Sequence, residues 1–445
     1  MTLPRLVIFH CNMGLLGGGQ RDLIVALPEH AKRWNITMVT LNAPDLLVDT
    51  CRELNIELIT PPQPWQEPRG GLKEMTAASG RSARKAWKRL FPSLKEPLQQ
   101  ADAAFVIISV GGLEVLELIP RSLPLYAFIL ERNKGIYDDV SHRNMDGSFK
   151  RPMWMNNLAL SYLRRWDKKW HRMLWNRPNT IISANTPTSA RKLASAHKWP
   201  TLNSWIAGKP EFRDEEKRPA GAGVLWPAIN PHAWPVEPTT DELEVWEHFE
   251  LKPITPYLLT IGRACFMKGS FEALTVAQAS SMSLVHVGGG ETEEMKKKAT
   301  EMGVELIIMP RIDELEIVSL VRNAHALLAI ARTEGFGLTP MEAVMVNTPA
   351  LVVDDAGFTH TITDGLNGRR LPWPNNPDSI QKWVEAIEQA GQKTIREQWS
   401  KAGRQRILER FSANHQAEGL ARGLATLDVQ VELTDLEILP GLDPA

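Results

Sequence analysis

Short apolar runs and longer amphipathic runs follow one another along the chain. LVIFH at residues 6–10 reads as a buried parallel strand. ITMVTL (36–41), IELIT (56–60), FVIISV (105–110), LPLYAFIL (123–130) and TIISA (180–184) repeat that pattern. RDLIVALPEHAKR after residue 20, LEVLELI after the 111–112 glycines, and a stretch from about 187 to 197 predict helices between them. The segment 158–177 predicts an amphipathic helix. Leu163, Trp166, Trp170 and Leu174 line one face, and Arg165, Lys168, Lys169 and Arg172 line the rest. A second series begins near residue 257. YLLTIG (257–262), SLVHVG (283–288), ELIIMP (305–310), ALLAI (326–330) and PALVV (349–353) read as strands. FEALTVAQA (271–279), ETEEMKKKATEMG (291–303) and DELEIVSLVRNA (313–324) read as the helices among them. Strands alternating with helices imply α/β architecture with parallel sheets covered on both faces.

Punctuation divides the chain. Residues 61–80 are rich in Pro, Gly and polar residues and read as a loop. Residues 207–223 read as an exposed connection, and VLWPAINPHAWP (224–235) as a linker. This predicts a first domain over 1–210, a linker over 211–235 and a second domain over 236–400. The last eighteen residues, from Asp428 (428–445), hold five acids and no base, and read as a loosely ordered tail.

Composition narrows the class. A chain of 445 residues favours two domains, and 43% hydrophobic with 23% charged residues is ordinary for a globular protein. A net charge of -1 offers no global attraction to nucleic acid. Cys11, Cys51 and Cys265 form no CxxC pair, so neither a disulfide framework nor a zinc site is expected, and a cytoplasmic compartment is the default. The N-terminal apolar run is too short for a signal peptide, and no stretch of eighteen apolar residues is present.

Chemistry concentrates at the ends of the expected strands, where such sheets bind ligands. CNMGLLGGGQ follows the first strand but lacks the GxGxxG spacing of a dinucleotide site. In the second half, GRACFMKG (262–269), GGGE (288–291), PRIDE (310–314) and ARTEGFG (331–337) each follow a strand. Arg263 and Lys268 put two cations on one loop, the charge a diphosphate needs. Glu334 and Glu342 flank GFG, and two carboxylates suit sugar hydroxyls. Thr339 as N-cap with Pro340 at the first helical position predicts a helix start, which offers free N–H groups to a phosphate. No DxD-type cluster lies beside these loops, so a metal-independent site is expected.

These residues resemble the retaining GT-B glycosyltransferases of family four, the glycosyltransferase group 1 type. The likeness runs through GRACFMKG, EGFGLTPMEA, NTPALVVDDAGFTHTITDGLNGRRLPWPN and FSANHQAE, with a GGGQR loop at the front. It implies two Rossmann-like domains whose parallel sheets face across a cleft. The first would be the acceptor side and the second the nucleotide-sugar side, with a C-terminal helix over 401–427 packing back on the first. It implies transfer of a sugar from a UDP- or GDP-linked donor to a glycan, lipid-linked or other hydroxyl acceptor, in polysaccharide or glycoconjugate biosynthesis. Glu334, Arg263 and Lys268 are then the catalytic candidates. Arg263 and Lys268 would hold the diphosphate, Glu334 the sugar hydroxyls and Glu342 the ribose. Phe336, Gly337 and Leu338 would offer backbone N–H groups, with Thr339 at the helix start. Arg311 and Ile312 would meet the base, and Gly17 and Gly18 would approach from the first domain.

Several positions depart from that pattern. Gln20 stands where an acid is common, Ala331 where a Ser is usual, and Asn347 where a Gly is common. The strand ends IISVGG and FILERNKG carry no histidine, which leaves Leu130 or Glu131 in its place and Glu131 and Arg132 as acceptor-side candidates. These departures keep open a second reading, a non-catalytic scaffold that binds nucleotide sugars. The basic stretches 81–95 and 158–177 admit peripheral contact with an anionic membrane at its inner face, or a packed helix with a solvated basic face.

Overall fold

The computed structural model describes residues 2–14, 17–68, 77–202, 215–249, 252–254, 256–309 and 312–437. Arg311, residues 203–214 at the domain and linker boundary, and residues 438–445 of the tail lie outside the described residues. The chain divides into two compact units. One comprises Met1–Tyr137, Pro152–Ala228 and Arg410–Asp443, the other Asp138–Arg151 and Ile229–Glu409.

The first unit holds a seven-stranded parallel sheet in the order β3-β2-β1-β4-β5-β6-β7. Its strands are β1 (Arg5–His10), β2 (Asn35–Thr40), β3 (Glu57–Ile59), β4 (Ala103–Ile108), β5 (Leu125–Ile129), β6 (Thr180–Ala184) and β7 (Gly223–Val224). Every residue of β4, β5 and β6 is buried, as their unbroken apolar runs require of strands covered on both faces. The helices are α1 (Gly18–Ala31), α2 (Asp45–Glu53), α3 (Ala78–Gln100), α4 (Lys134–Tyr137), α5 (Met153–Trp175) and α6 (Pro187–His197). LEVLELI forms only a 3-10 turn over Leu113–Glu117, shorter than the expected helix.

The second unit holds a six-stranded parallel sheet in the order β10-β9-β8-β11-β12-β13. The strands are β8 (Tyr257–Ile261), β9 (Ser283–Val287), β10 (Leu306–Met309), β11 (Ala326–Ala329), β12 (Ala350–Val353) and β13 (Arg369–Leu371). Its helices are α7 (Thr240–Glu247), α8 (Ser270–Ser280), α9 (Thr292–Met302), α10 (Glu314–Asn323), α11 (Leu338–Met345), α12 (Phe358–Thr361), α13 (Pro377–Ala390) and α14 (Lys393–Arg410). Glu242 of α7 is buried against Arg322 of α10 at 2.6 Å, and Arg322 also donates to the Pro235 and Val236 carbonyls. That pairing satisfies a charge that burial would otherwise penalise heavily.

Two stretches are more structured than the sequence predicts. Val224, Leu225, Trp226, Ala228 and Trp234 are buried, and 223–224 is an edge strand, so much of 224–235 is core and not free connection. The acidic end is also fastened as far as residue 437. The last helix, α15 (Ala413–Ala425), packs on α1 and β5. Its fully buried Glu418 pairs with Arg33 and Arg422 and accepts from Thr434, while Arg422 donates to the Thr434 and Leu436 carbonyls. Main-chain oxygens and one threonine hydroxyl dock this stretch, a contribution that a count of its acids misses.

Candidate active site

In each sheet the strand order reverses once, between β1 and β4 and between β8 and β11. Loops diverge at such a point and leave a crevice outside the strand ends. In the second unit the two loops at the reversal are 262–269 and 331–337, which carry Arg263, Lys268 and Glu334.

Backbone contacts lock these loops together. Arg332 donates from its main chain to the Met267 carbonyl at 2.8 Å. Gly269 has φ +62, and a Cβ there would run into the Ile330 carbonyl, so the approach itself needs glycine. The 288–291 loop joins the same cluster, since Ala264 donates to the Gly289 carbonyl at 2.7 Å and Glu291 to the Ala264 carbonyl at 2.8 Å. On the far side, Gly357 donates to the Glu334 carbonyl at 2.8 Å. The Lys268 ammonium lies 2.7 Å from the Glu334 carboxylate, and both side chains are only partly covered. Arg263 is exposed and makes no ion pair among the described residues.

The helix that follows starts two residues earlier than expected. Gly337, at φ +91, is the N-cap of α11, and Thr339 is inside the helix and caps nothing with its side chain. A left-handed glycine turns the chain into the helix at Leu338, so the free N–H groups are those of Leu338 and Thr339; Pro340 has none. Phe336 and Glu342 are buried, so Glu342 lies largely within the packing of α11. Asn347 has φ +66, which explains why it can stand where glycine is common, since asparagine tolerates this region. Ile312 is half-buried just before Asp313, which caps α10 through a reciprocal bond pair with Glu316.

Gly17, Gly18, Glu131 and Arg132 lie in the first unit, at strand ends. Gly17 caps α1 and Gly18 begins it. Gln20 accepts from the Gly17 N–H and donates to the Asn12 carbonyl, a bridging role that its two-sided amide allows and a carboxylate does not. Leu130 points at α1, where a Cβ on Gly19 would strike it. Glu131 pairs with Lys134 at 2.7 Å, and the Arg132 guanidinium lies 6.0 Å from the Tyr137 ring.

Other residues of the second unit lie within the same sequence motifs, yet the sequence assigns them no site role. Arg332 pairs with Glu272 and lies over the Phe266 and Trp373 rings at 3.8 and 4.5 Å. Glu272, Arg332 and Trp373, with Asp355 and Asn375, border an open cavity of about 320 Å³ at the ends of β11, β12 and β13. Segment 138–151 packs on the same loops. Lys150 pairs with Glu291 at 2.6 Å, and Arg143 lies over Phe149.

Two parallel Rossmann-like sheets, each with its loops gathered at one reversal, define a GT-B protein. Glycosyltransferase from Rickettsia africae shares that fold at a TM-score of 0.62 and 13% identity, over 95% of this chain and 98% of that one. Residues 246–406, within the second unit, match the family model described as Glycosyl transferases group 1. The alpha-1,3/1,6-mannosyltransferase alg-2 of Neurospora crassa is 25% identical over 152 residues, 31% of each chain. The O-antigen chain mannosyltransferase C of Escherichia coli is 25% identical over 178 residues, 38% of this chain and 47% of that one. The alignments thus span about a third to a half of the curated relatives' length.

Proposed function

We propose that the protein is a retaining glycosyltransferase that moves mannose from a nucleotide diphosphate donor to a hydroxyl of a glycan or lipid-linked acceptor. The observation that carries this is the Lys268–Glu334 contact at the β8/β11 reversal, beside the free N–H groups that begin α11. Mannose is favoured because both relatives named above are mannosyltransferases.

Arg263, Lys268 and the α11 N-terminus hold the diphosphate and take up the charge that develops as it leaves. Lys268 is drawn toward the phosphate, which frees Glu334 to accept hydrogen bonds from the sugar hydroxyls. The anomeric carbon–oxygen bond to the diphosphate breaks, the acceptor oxygen bonds on the same face, and its proton passes to the departing phosphate. Glu342 and Ile312, with Arg311, serve the ribose and base. Gly17, Gly18, Glu131 and Arg132 serve the sugar and acceptor from the first unit. The cations suffice for the diphosphate, so transfer proceeds in EDTA.

The test is nucleotide release from GDP-mannose and UDP-glucose with varied acceptors. Glu334→Ala is expected to lower transfer by about 100-fold or more while keeping nucleotide binding, as for a group that holds the donor sugar in place. A wild-type protein that binds nucleotide and turns over no donor would establish the scaffold reading instead.

A further inference from the structure

In the first unit, α5 and the end of α6 enclose a cluster that takes no part in the site above. Asp167 and His171 are four residues apart, on one face of α5. His197, in the last turn of α6, completes the group, and one ligand atom from each lies within 4.8 Å of the others. His197 Nε2 is 3.5 Å from Asp167 Oδ2, and the two imidazoles stack with centroids 3.8 Å apart. All three side chains are at least nine-tenths buried.

The core histidines His10, His30 and His286 also have buried ring nitrogens without a partner, but the two imidazoles here stand beside each other and a carboxylate. His171 Nδ1 lies 3.0 Å from the Asp167 carbonyl and 3.3 Å from the Asp167 carboxylate, two acceptors that favour the proton on Nδ1 and a lone pair on Nε2. Nε2 of His171 and Nε2 of His197 are both buried without a hydrogen-bond partner. The Tyr137 hydroxyl donates to Asp167 Oδ2 at 2.8 Å and orients the carboxylate. Trp199 lies beside both imidazoles, at 5.0 and 5.7 Å. A carboxylate, two imidazoles whose buried Nε2 atoms have no hydrogen-bond partner, a carbonyl beside Nδ1 of one and a phenol orienting the carboxylate suit the inner and outer partners of a zinc-class ion.

We propose that Asp167, His171 and His197 form a structural site for a borderline divalent cation of the zinc class, fastening α5 to α6. Nitrogen and carboxylate donors favour such an ion over magnesium or calcium, which take oxygen alone.

The test uses the full chain without added histidines, stripped by chelation and titrated with Zn²⁺, and with Co²⁺ as an optical probe. One equivalent is expected to bind, with a rise in Tm and a visible cobalt absorption. His197→Gln is expected to abolish the absorption and the Tm shift. Tyr137→Phe keeps all three ligands and is expected to weaken binding by about 10- to 100-fold. Circular dichroism of the metal-free variants separates lost ligation from lost fold. Failure of folded wild-type protein to take up one equivalent would overturn the proposal, as would equal affinity in folded His197→Gln.

Discussion

Gly337 decides where α11 begins, and so where its free N–H groups point. It has φ +91, and a Cβ there would lie 2.7 Å from the Phe358 ring. Gly337→Ala is therefore expected to cost roughly 1–3 kcal/mol in urea unfolding, and to weaken nucleotide binding in a fluorescence titration. Unchanged binding would show that the helix start does not hold the phosphate. Asp22 is the second telling residue. Its buried carboxylate accepts from the Ala228 N–H at 2.6 Å and from Gln416 at 2.8 Å, yet burial raises its pKa to about 7 from 3.8. The unfolded chain loses this proton near pH 4 and the folded chain near pH 7, so stability falls as pH rises between them. The limit is on the order of 4 kcal/mol. Asn at this position still accepts both bonds but does not ionise. Denaturation at pH 5 and pH 8 should show the wild type losing more stability than Asp22→Asn, and equal losses would mean Asp22 ionises normally. At this scale the sequence is legible in residue type and not in geometry. Glu334 and Lys268 stand out as charges on glycine loops, whereas Thr339 mimics a cap because no pattern reveals that Gly337 is left-handed. Nothing about His197 marks it as a neighbour of Asp167 and His171, although the i,i+4 spacing of those two is readable on α5.

Among the elements, the strands are readable because each is a short apolar run closed by Gly or polar residues. The helical ends are not. The amphipathic face begins at Met153, and α5 carries two opposite surfaces. Trp170 and Leu174 are buried as expected, but so are Asp167 and His171, which a count of polar residues assigns to solvent. The exposed stripe is where a membrane contact would form. Trp154, Leu158, Tyr162, Arg165, Lys169 and Arg172 follow spacings of four, four, three, four and three residues, which is one helix face. Trp154 and Leu158 are 69% and 71% exposed, so the first half of the stripe is uncovered and apolar and the second half is basic. Arg81 of basic α3 reaches Tyr162 at 2.8 Å, extending the charge beside it. An anionic lipid surface fits both halves. No described helix is long and apolar enough to cross a membrane. The protein should float with anionic vesicles at low salt. Removing three cations as Lys168→Ala, Lys169→Ala and Arg172→Ala is worth about 3 kcal/mol, or about 100-fold in partitioning. Trp154→Ser with Leu158→Ser should also release it. Absence of flotation by the wild type would leave the stripe without a lipid role.

For the whole molecule, the decisive fact is that the first unit is built from both ends of the chain. Its sheet comes from residues before 225, but α15 covers α1 and β5 from the far end. Phe411, Leu420, Leu424, Leu427 and Val429 are buried there. At roughly 1.5–3 kcal/mol for each large side chain, their removal takes on the order of 10 kcal/mol, as much as the whole net stability of a typical domain. Loss of Gln416 also strips Asp22 of a donor, and loss of Glu418 leaves Arg33 buried without its carboxylate. A chain ending at Arg410 keeps Asp138–Arg151 and Ile229–Glu409 of the second unit and every strand of both sheets, yet its first unit should not fold. Calorimetry should show one unit melting cooperatively, and limited proteolysis should degrade 1–137 and 152–228 while sparing the second unit. Nucleotide binding should survive in part, because Arg263, Lys268 and Glu334 all stand in the second unit, whereas transfer should vanish with the first unit, to which the proposed mechanism assigns the acceptor. If the shortened chain keeps two cooperative transitions, α15 is an ornament on the first sheet and not part of its core.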